Sequence, residues 1–443
     1  MFDAQKFLIP LDKRRALSVS DSDWGLDEIE GLFTTLGGQI ASRLKLNKRK
    51  IDARTYMGGG KVAEIAAMMA ELRVDVLLVD FDLSPSQLKN IEAVLREHLK
   101  DQFKDDPKNN GGGLVLDRSG IILEIFSRHA RTKEAKLQVE LARMEYLMPR
   151  LSHLWSHFER QTGGGGTALK GKGMGETQIE VDRRLVKDRI SQLKRKIQDV
   201  ERSRDVQRKG REDMLKVALV GYTNAGKSTL LNALTKSDVL VEDALFATLD
   251  ATVKVLNPKS RPLVLAIDTV GFIDRLPHGL VASFRSTLSE VLEADLLIHV
   301  LDASDKEVKR HFQVTKDVLK ELGAEQIPSI VVFNKIDRAG EQLPLVKVWG
   351  ASMAREEGLS APLFVSALDV NLVNQLRQSI LTYFERDMTT YEVVVPFEDG
   401  KTIAQICQVG RIEARRPVGE GTFFRFKTME VFAKQFNFKR YRV

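Results

Sequence analysis

At 443 residues the chain is too long for one ordinary core, and at roughly 150 residues each about three domains are expected. Hydrophobic residues make up 43% of it, enough for real cores, while its one cysteine, Cys407, excludes an intrachain disulfide and fits a reducing compartment. No apolar run approaches the roughly 18 residues of a membrane span, the first residues lack a basic and then apolar leader pattern, and a net charge of +7 hints at a polyanionic partner, so a cytoplasmic protein is expected.

Residues 2–131 alternate helix-like and strand-like pieces. Helical spacing runs over 26–36 and 61–72, an extended and then basic piece over 38–46, and buried strands over 75–80 and 113–117. A further helix over 84–99 opens on Ser84-Pro85, an N-cap serine with proline at the first helical position. Such alternation predicts an α/β domain with a parallel sheet. Residues 100–112 are polar and end in glycines, which suggests an exposed insertion. Gly58-Gly59-Gly60-Lys61 imitates a phosphate loop, but Thr55 and Val62 break the pattern. A structural or partner-contacting loop is preferred there, although backbone N–H groups beside Lys61 could still hold an anion.

Leu137, Leu141, Met144, Met148 and Leu151 share one helical face. Ile179, Val186, Leu193 and Val200 recur every seven residues, with Ile190 and Ile197 interleaved, so two long helices are expected to pack as a hairpin. Their connection, from Thr162 through Gly163-Gly164-Gly165-Gly166 to Glu176, is rich in glycine: a flexible hinge, or a backbone free to fit a surface. Between Arg183 and Arg211 stand twelve cations against four carboxylates. A solvated helix face normally mixes signs, so contact with a phosphate backbone is the expected use of this one.

The strand-like run Leu215 to Val220 leads into Gly221-Tyr222-Thr223-Asn224-Ala225-Gly226-Lys227-Ser228-Thr229 and an apolar helix. This is a full G-x-x-x-x-G-K-[ST] phosphate loop in its strand-turn-helix context: backbone N–H groups cradle phosphates, Lys227 neutralises the terminal charge and the Ser228 hydroxyl can ligate Mg²⁺. Phe246-Ala247-Thr248-Leu249-Asp250 lies where a first switch segment would be, and Asp268-Thr269-Val270-Gly271 closes another apolar strand. There Asp268 can hold the Mg²⁺ shell and Gly271 can offer its N–H to a γ-phosphate. Asn334-Lys335-Ile336-Asp337 follows Ile330 to Phe333, with Asp337 suited to the ring and amino N–H groups of guanine and Asn334 to its O6 and the loop. Ser366-Ala367-Leu368 adds a backbone N–H toward the base. GTP, GDP and Mg²⁺ are the expected ligands, with Lys227, Thr248 and Gly271 as catalytic candidates. Phe272 stands where many GTPases place a water-orienting glutamine, so slow intrinsic hydrolysis is expected, and packing of the second switch is a compatible role. Residues 391–443 turn β-rich and carry no catalytic cluster.

Taken with Leu83-Ser84-Pro85-Ser86-Gln87, Lys136-Leu137-Gln138-Val139-Glu140-Leu141 and Gly175-Glu176-Thr177-Gln178, these motifs make nearly the whole chain resemble the HflX-type GTPases. The resemblance implies a ribosome-associated GTPase that engages the large ribosomal subunit and its ribosomal RNA, is stimulated by it, and dissociates stalled or idle ribosomes. It also implies that the hairpin loop reaches toward the peptidyl-transferase region and that Ser228 and Thr248 are direct Mg²⁺ ligands, with Asp268 in the ion's shell. Met174 and Ala251 stand where the family usually has proline. The expected architecture is an α/β N-terminal domain (1–131), a helical hairpin with a glycine-rich loop (132–212), a P-loop GTPase domain (213–388) and a small β-rich C-terminal domain (389–443), in a monomer. An RNA-binding or remodelling NTPase with an ATP-dependent activity in the N-terminal region is the alternative. An RNA-modification GTPase would bring a separate catalytic constellation, which the sequence lacks.

Overall fold

A computed structural model describes residues 11–47, 51–99, 113–150, 174–209, 213–236, 245–246, 252–275 and 290–441. The insertion at 100–112, most of the glycine-rich connection, Leu151, Arg211, Ala251 and the switch residues Ala247, Thr248, Leu249 and Asp250 lie outside them, as does the side chain of Ile179. The described residues divide into two compact units, one within 1–200 and one within 201–443.

The first unit holds β1 (Arg15–Ser20), α1 (Asp23–Thr35), β2 (Gln39–Lys45), α2 (Gly59–Glu71), β3 (Val76–Val79), α3 (Pro85–Leu99), β4 (Leu114–Asp117), α4 (Arg118–His129), α5 (Lys133–Leu147) and, entering from this unit, α6 (Met174–Lys209). Its sheet is parallel in the order β2-β1-β3-β4. All four residues of β3 are buried, as a strand covered on both faces requires. A reciprocal capping box starts α3: the Gln87 N–H donates to Ser84 Oγ at 3.2 Å and the Ser84 N–H to Gln87 Oε1 at 3.0 Å. At the carboxyl ends of the strands the interior turns polar. The fully buried Arg118 pairs with Asp80 and Glu28, and Ser20 Oγ donates to Asp80 at 2.8 Å. Asp117, also fully buried, accepts from Tyr146 Oη at 2.8 Å and from the Gly120 N–H at 2.8 Å, and burial raises its carboxyl above the usual range.

Leu137, Leu141 and Met144 of α5 pack against Val186 and Leu193 of α6, with Ile190 and Ile197 at the margin, as the heptad spacing predicts. Two of the twelve cations are spent on this contact: Arg189 reaches Glu140 at 2.6 Å and Lys194 reaches Glu145 at 2.9 Å. Arg183, Arg184, Lys187, Arg195 and Lys196 are exposed.

In the second unit β5 (Leu215–Val220), β6 (Thr252–Val255), β7 (Val264–Asp268), β8 (Leu296–Asp302), β9 (Ser329–Asn334) and β10 (Leu363–Phe364) form a six-stranded sheet in the order β10-β9-β8-β5-β7-β6. Among the described strands of this sheet only β6 runs antiparallel to its neighbour. Its helices among the described residues include α7 (Lys227–Thr235), α8 (Val308–Leu322), α9 (Leu343–Glu356) and α10 (Val370–Arg386). After them come β11 (Met388–Pro396), α11 (Gly400–Val409), β12 (Arg411–Val418), β13 (Gly421–Met429) and α12 (Glu430–Gln435), whose strands make an antiparallel sheet in the order β11-β13-β12. Val393, Val395, Phe424 and Phe426 join Leu219, Leu230, Val300 and Ile380 in one continuous apolar core.

Candidate nucleotide-binding site

Three glycines shape the site because no side chain fits where they stand. At Gly221 (φ 150°) a Cβ would lie 2.2 Å from the Val300 carbonyl oxygen, and at Gly226 (φ 87°) 2.4 Å from Asn334 Nδ2. At Gly271 it would lie 2.7 Å from Thr223 Cα and 3.0 Å from Lys227 Nζ. The loop therefore closes tightly between β5, the residues after β7 and the end of β9. Gly226 gives α7 no side-chain cap, so the helix N-terminus faces the loop with its dipole.

Lys227 is buried, and its Nζ donates to the Gly221 and Tyr222 carbonyls at 3.1 and 2.8 Å. Burial lowers its pKa to about 8, against the opposing pull of Asp268. Ser228 Oγ donates to Asp268 Oδ2 at 2.6 Å. A hydroxyl and a carboxylate are the hard oxygen donors that Mg²⁺ prefers. Among the described residues no cluster of three or more His, Cys, Asp or Glu could hold a metal by itself. Thr229 is half-buried on the same helix, and Val270 and Thr269 are buried, the Thr269 hydroxyl donating to the Leu219 carbonyl at 2.7 Å.

Two backbone hydrogen bonds tie the phosphate loop to the segment after β7. The Thr223 N–H donates to the Phe272 carbonyl at 2.7 Å, and the Phe272 N–H to the Gly221 carbonyl at 3.1 Å. Phe272 itself is 2% exposed, which puts it in the packing. Thr223 Oγ1 accepts from the Phe246 N–H at 2.9 Å, holding the described end of the first switch segment. Tyr222 stacks on His311 with ring centroids 3.8 Å apart and accepts from the Asp274 N–H at 2.9 Å.

On the base side, Asn334 Nδ2 donates to the Ala225 carbonyl at 3.0 Å while its Oδ1 accepts from the Ala367 N–H at 3.1 Å. Both ends of this amide are thus engaged within the protein, which makes Asn334 a brace between the phosphate loop and the Ser366 loop. Lys335 (φ 59°) donates to the Asn224 carbonyl at 2.7 Å and pairs with Asp302 at 2.8 Å. Ile336 is half-buried and its N–H reaches the Val365 carbonyl at 3.3 Å. Asp337 is exposed and has no hydrogen bond within the described residues. Ser366 is buried and its Oγ accepts from the Leu368 N–H at 3.3 Å, while Leu368 is 74% exposed.

Asp302, which pairs with Lys335, and His299 belong to no motif of the sequence. Asp302 ends an apolar strand as Asp268 does, a signal that could have found it. His299 sits inside β8 on an apolar run and carries no such signal.

Three family models match the chain: one described as GTP-binding GTPase N-terminal over residues 24–104, one as GTP-binding GTPase Middle Region over 129–211, and one as 50S ribosome-binding GTPase over 216–335. The chain is 39% identical to the GTPase HflX of Gluconacetobacter diazotrophicus, over 87% of each chain. It is 42% identical to the GTPase HflX of Magnetococcus marinus, over 86% of this chain and 82% of that one. Among solved structures, a GTP-binding protein from the archaeon Sulfolobus solfataricus in complex with GDP is similar at 26% identity and a TM-score of 0.43, covering 83% of this chain and 99% of that one.

Proposed function

The chain belongs to the HflX family of GTPases, and from that premise we propose that its GTP-bound form engages the large ribosomal subunit, splits or recycles stalled or idle ribosomes, and leaves on hydrolysis. GTP binding and hydrolysis follow from the family itself. The observation that carries the ribosomal part is the exposed, predominantly cationic surface of α6, next in the chain to a segment whose family model is described as ribosome-binding.

In this reading Lys227 exchanges the loop carbonyls of Gly221 and Tyr222 for the terminal phosphates of GTP, where its charge offsets theirs. The Gly271 N–H meets the γ-phosphate, and Asp337 accepts from guanine. Ser228 and Thr248 would hold Mg²⁺ with Asp268 in its shell, and the ion would draw charge from the phosphate oxygens. Asn334 positions the base pocket rather than reading O6 alone, since its amide is already shared between Ala225 and Ala367. Phe272 cannot orient water, so the slow step awaits a group supplied by the bound partner. The protein acts as a cytoplasmic monomer.

The alternative ATP-dependent activity in the first unit finds little support. The segment before Gly58 is a turn rather than a strand, Lys61 pairs with Glu64 at 2.8 Å, and Arg118 already fills the polar strand ends.

Two measurements test the reading. Loaded with a non-hydrolysable GTP analogue, the protein is expected to co-sediment with purified large subunits and to be released as salt rises; sedimentation indifferent to subunits would sink the ribosomal part. Asp337→Asn is expected to shift preference from GTP to xanthosine triphosphate, and retained guanine preference would show that the base is read elsewhere.

A further inference from the structure

At the end of the second unit β12 is an edge strand, paired on one side by β13 and, among the described residues, by no strand on the other. Seven of its eight residues are exposed. An open edge offers a row of backbone donors and acceptors, and proteins commonly blunt such edges with charge. This edge carries Arg411, Arg415 and Arg416 against the single carboxylate Glu413. The Arg415 and Arg416 guanidinium groups lie over Phe424 and Phe423, 5.4 and 4.9 Å from the ring centroids, and have no ion pair among the described residues. The rings hold these two charges in place and are themselves covered.

Where β12 begins, Gly410, Arg411 and Ile412 help to line a cavity of about 420 Å³, within the size range of ligand pockets. Val264, Phe384 and Met388 make part of it apolar, while Lys259, Arg261 and Arg411 make its charged lining mainly cationic. Glu385, which also lines it, pairs with Arg411 at 2.6 Å through two exposed side chains, a weak and exchangeable contact. Since Leu215 and Val264 are the first residues of β5 and β7, the cavity lies at the opposite end of the sheet from the phosphate loop.

We propose that β12 and this cavity form a docking site for an acidic, extended peptide segment of a partner protein, which adds as a strand to β12, sets an apolar side chain in the cavity and lays carboxylates of one face against Arg411 and Arg416 and of the other against Arg415. Strand addition supplies affinity through the main chain, and the cavity and the arginines supply selection. A second copy of the chain is a poor occupant, because edge-to-edge pairing would bring like charges together. Single-stranded RNA would want open aromatic faces, and here the arginines occupy them.

The test uses the full chain and a fluorescein-labelled seven-residue peptide with glutamates on both faces, Glu-Glu-Leu-Glu-Glu-Leu-Glu, read by fluorescence anisotropy. Saturable binding is expected. It should weaken by at least about tenfold when the peptide backbone is N-methylated, when lysine replaces glutamate, or when the protein carries Arg415→Glu with Arg416→Glu. The double variant should keep basal GTP hydrolysis, which reports that it is folded. Cys407 lines the cavity and is the chain's one cysteine, so bound peptide should slow its alkylation by iodoacetamide. Absent peptide binding, binding unchanged in the double variant, tighter capture of an RNA of equal charge through the same arginines, or dimerisation through β12 would each overturn the proposal.

Discussion

Phe272 and His299 show how single side chains near the phosphate loop are fixed by burial rather than by chemistry. Phe272 occupies a position where glutamine would suit hydrolysis, yet its ring is buried and its backbone is pinned on both sides to the loop. Phe272→Gln is therefore expected to leave single-turnover GTP hydrolysis no faster and to lower stability by about 1–3 kcal/mol, because an amide would be buried without partners. A faster variant would show that the position is free to act on water. His299 stacks on Phe312 with centroids 4.9 Å apart, and its Nε2 has no hydrogen-bond partner among the described residues. Burial, aided by the charge of Lys227, lowers its pKa to about 3. The unfolded chain therefore binds a proton here below about pH 6.5 and the folded chain does not, so this group costs stability as pH falls from 6.5 toward 3. Between pH 7 and pH 5 the loss should be about 2 kcal/mol, and His299→Phe should remove it, as read from urea midpoints of both proteins. The phosphate-loop residues were legible in the sequence because their spacing is itself the chemistry. The brace made by Asn334 and the neutral His299 were not, since both depend on partners brought in by other strands.

At the scale of elements, the predicted helices and strands that emerged clearly were those with clean periodicity or a local cap, such as α3 with its Ser84-Gln87 box and the heptads of α6. In the first unit two elements escaped. β1 carries Ser18 and Ser20 among its buried residues, so polar side chains interrupt its apolar pattern. α4 buries Ile121, Ile122, Leu123, Ile125 and Phe126 nearly in a row, which erases the 3.6-residue period. The network around Arg118 was illegible for another reason: its partners Asp80 and Glu28 lie 38 and 90 positions away. It makes a firm prediction. Arg118→Met leaves two buried carboxylates without their cation and should cost about 3–5 kcal/mol in urea denaturation followed by the fluorescence of nearby Trp24. A loss below about 1 kcal/mol would mean that the pairs behave as surface pairs do.

For the whole molecule, the described residues contain no helix long and apolar enough to cross a membrane, and they hold a parallel sheet in one unit and, in the other, a mostly parallel sheet with a small antiparallel one. One unit carries the nucleotide site. The basic α6 leads from the other toward it in sequence, and its exposed cations form the polyanion-facing part of the account. The C-terminal sheet shares its core with the GTPase sheet, so the β-rich content read from the sequence is present, but not as a separate core. The most direct test of the central claim is the rate of GTP hydrolysis with and without purified large ribosomal subunits, at about 50 and about 200 mM salt. The rate should rise at least about tenfold when subunits are added at low salt, and the rise should shrink at high salt. An unchanged rate at both salts, with GTP binding intact, would contradict the account.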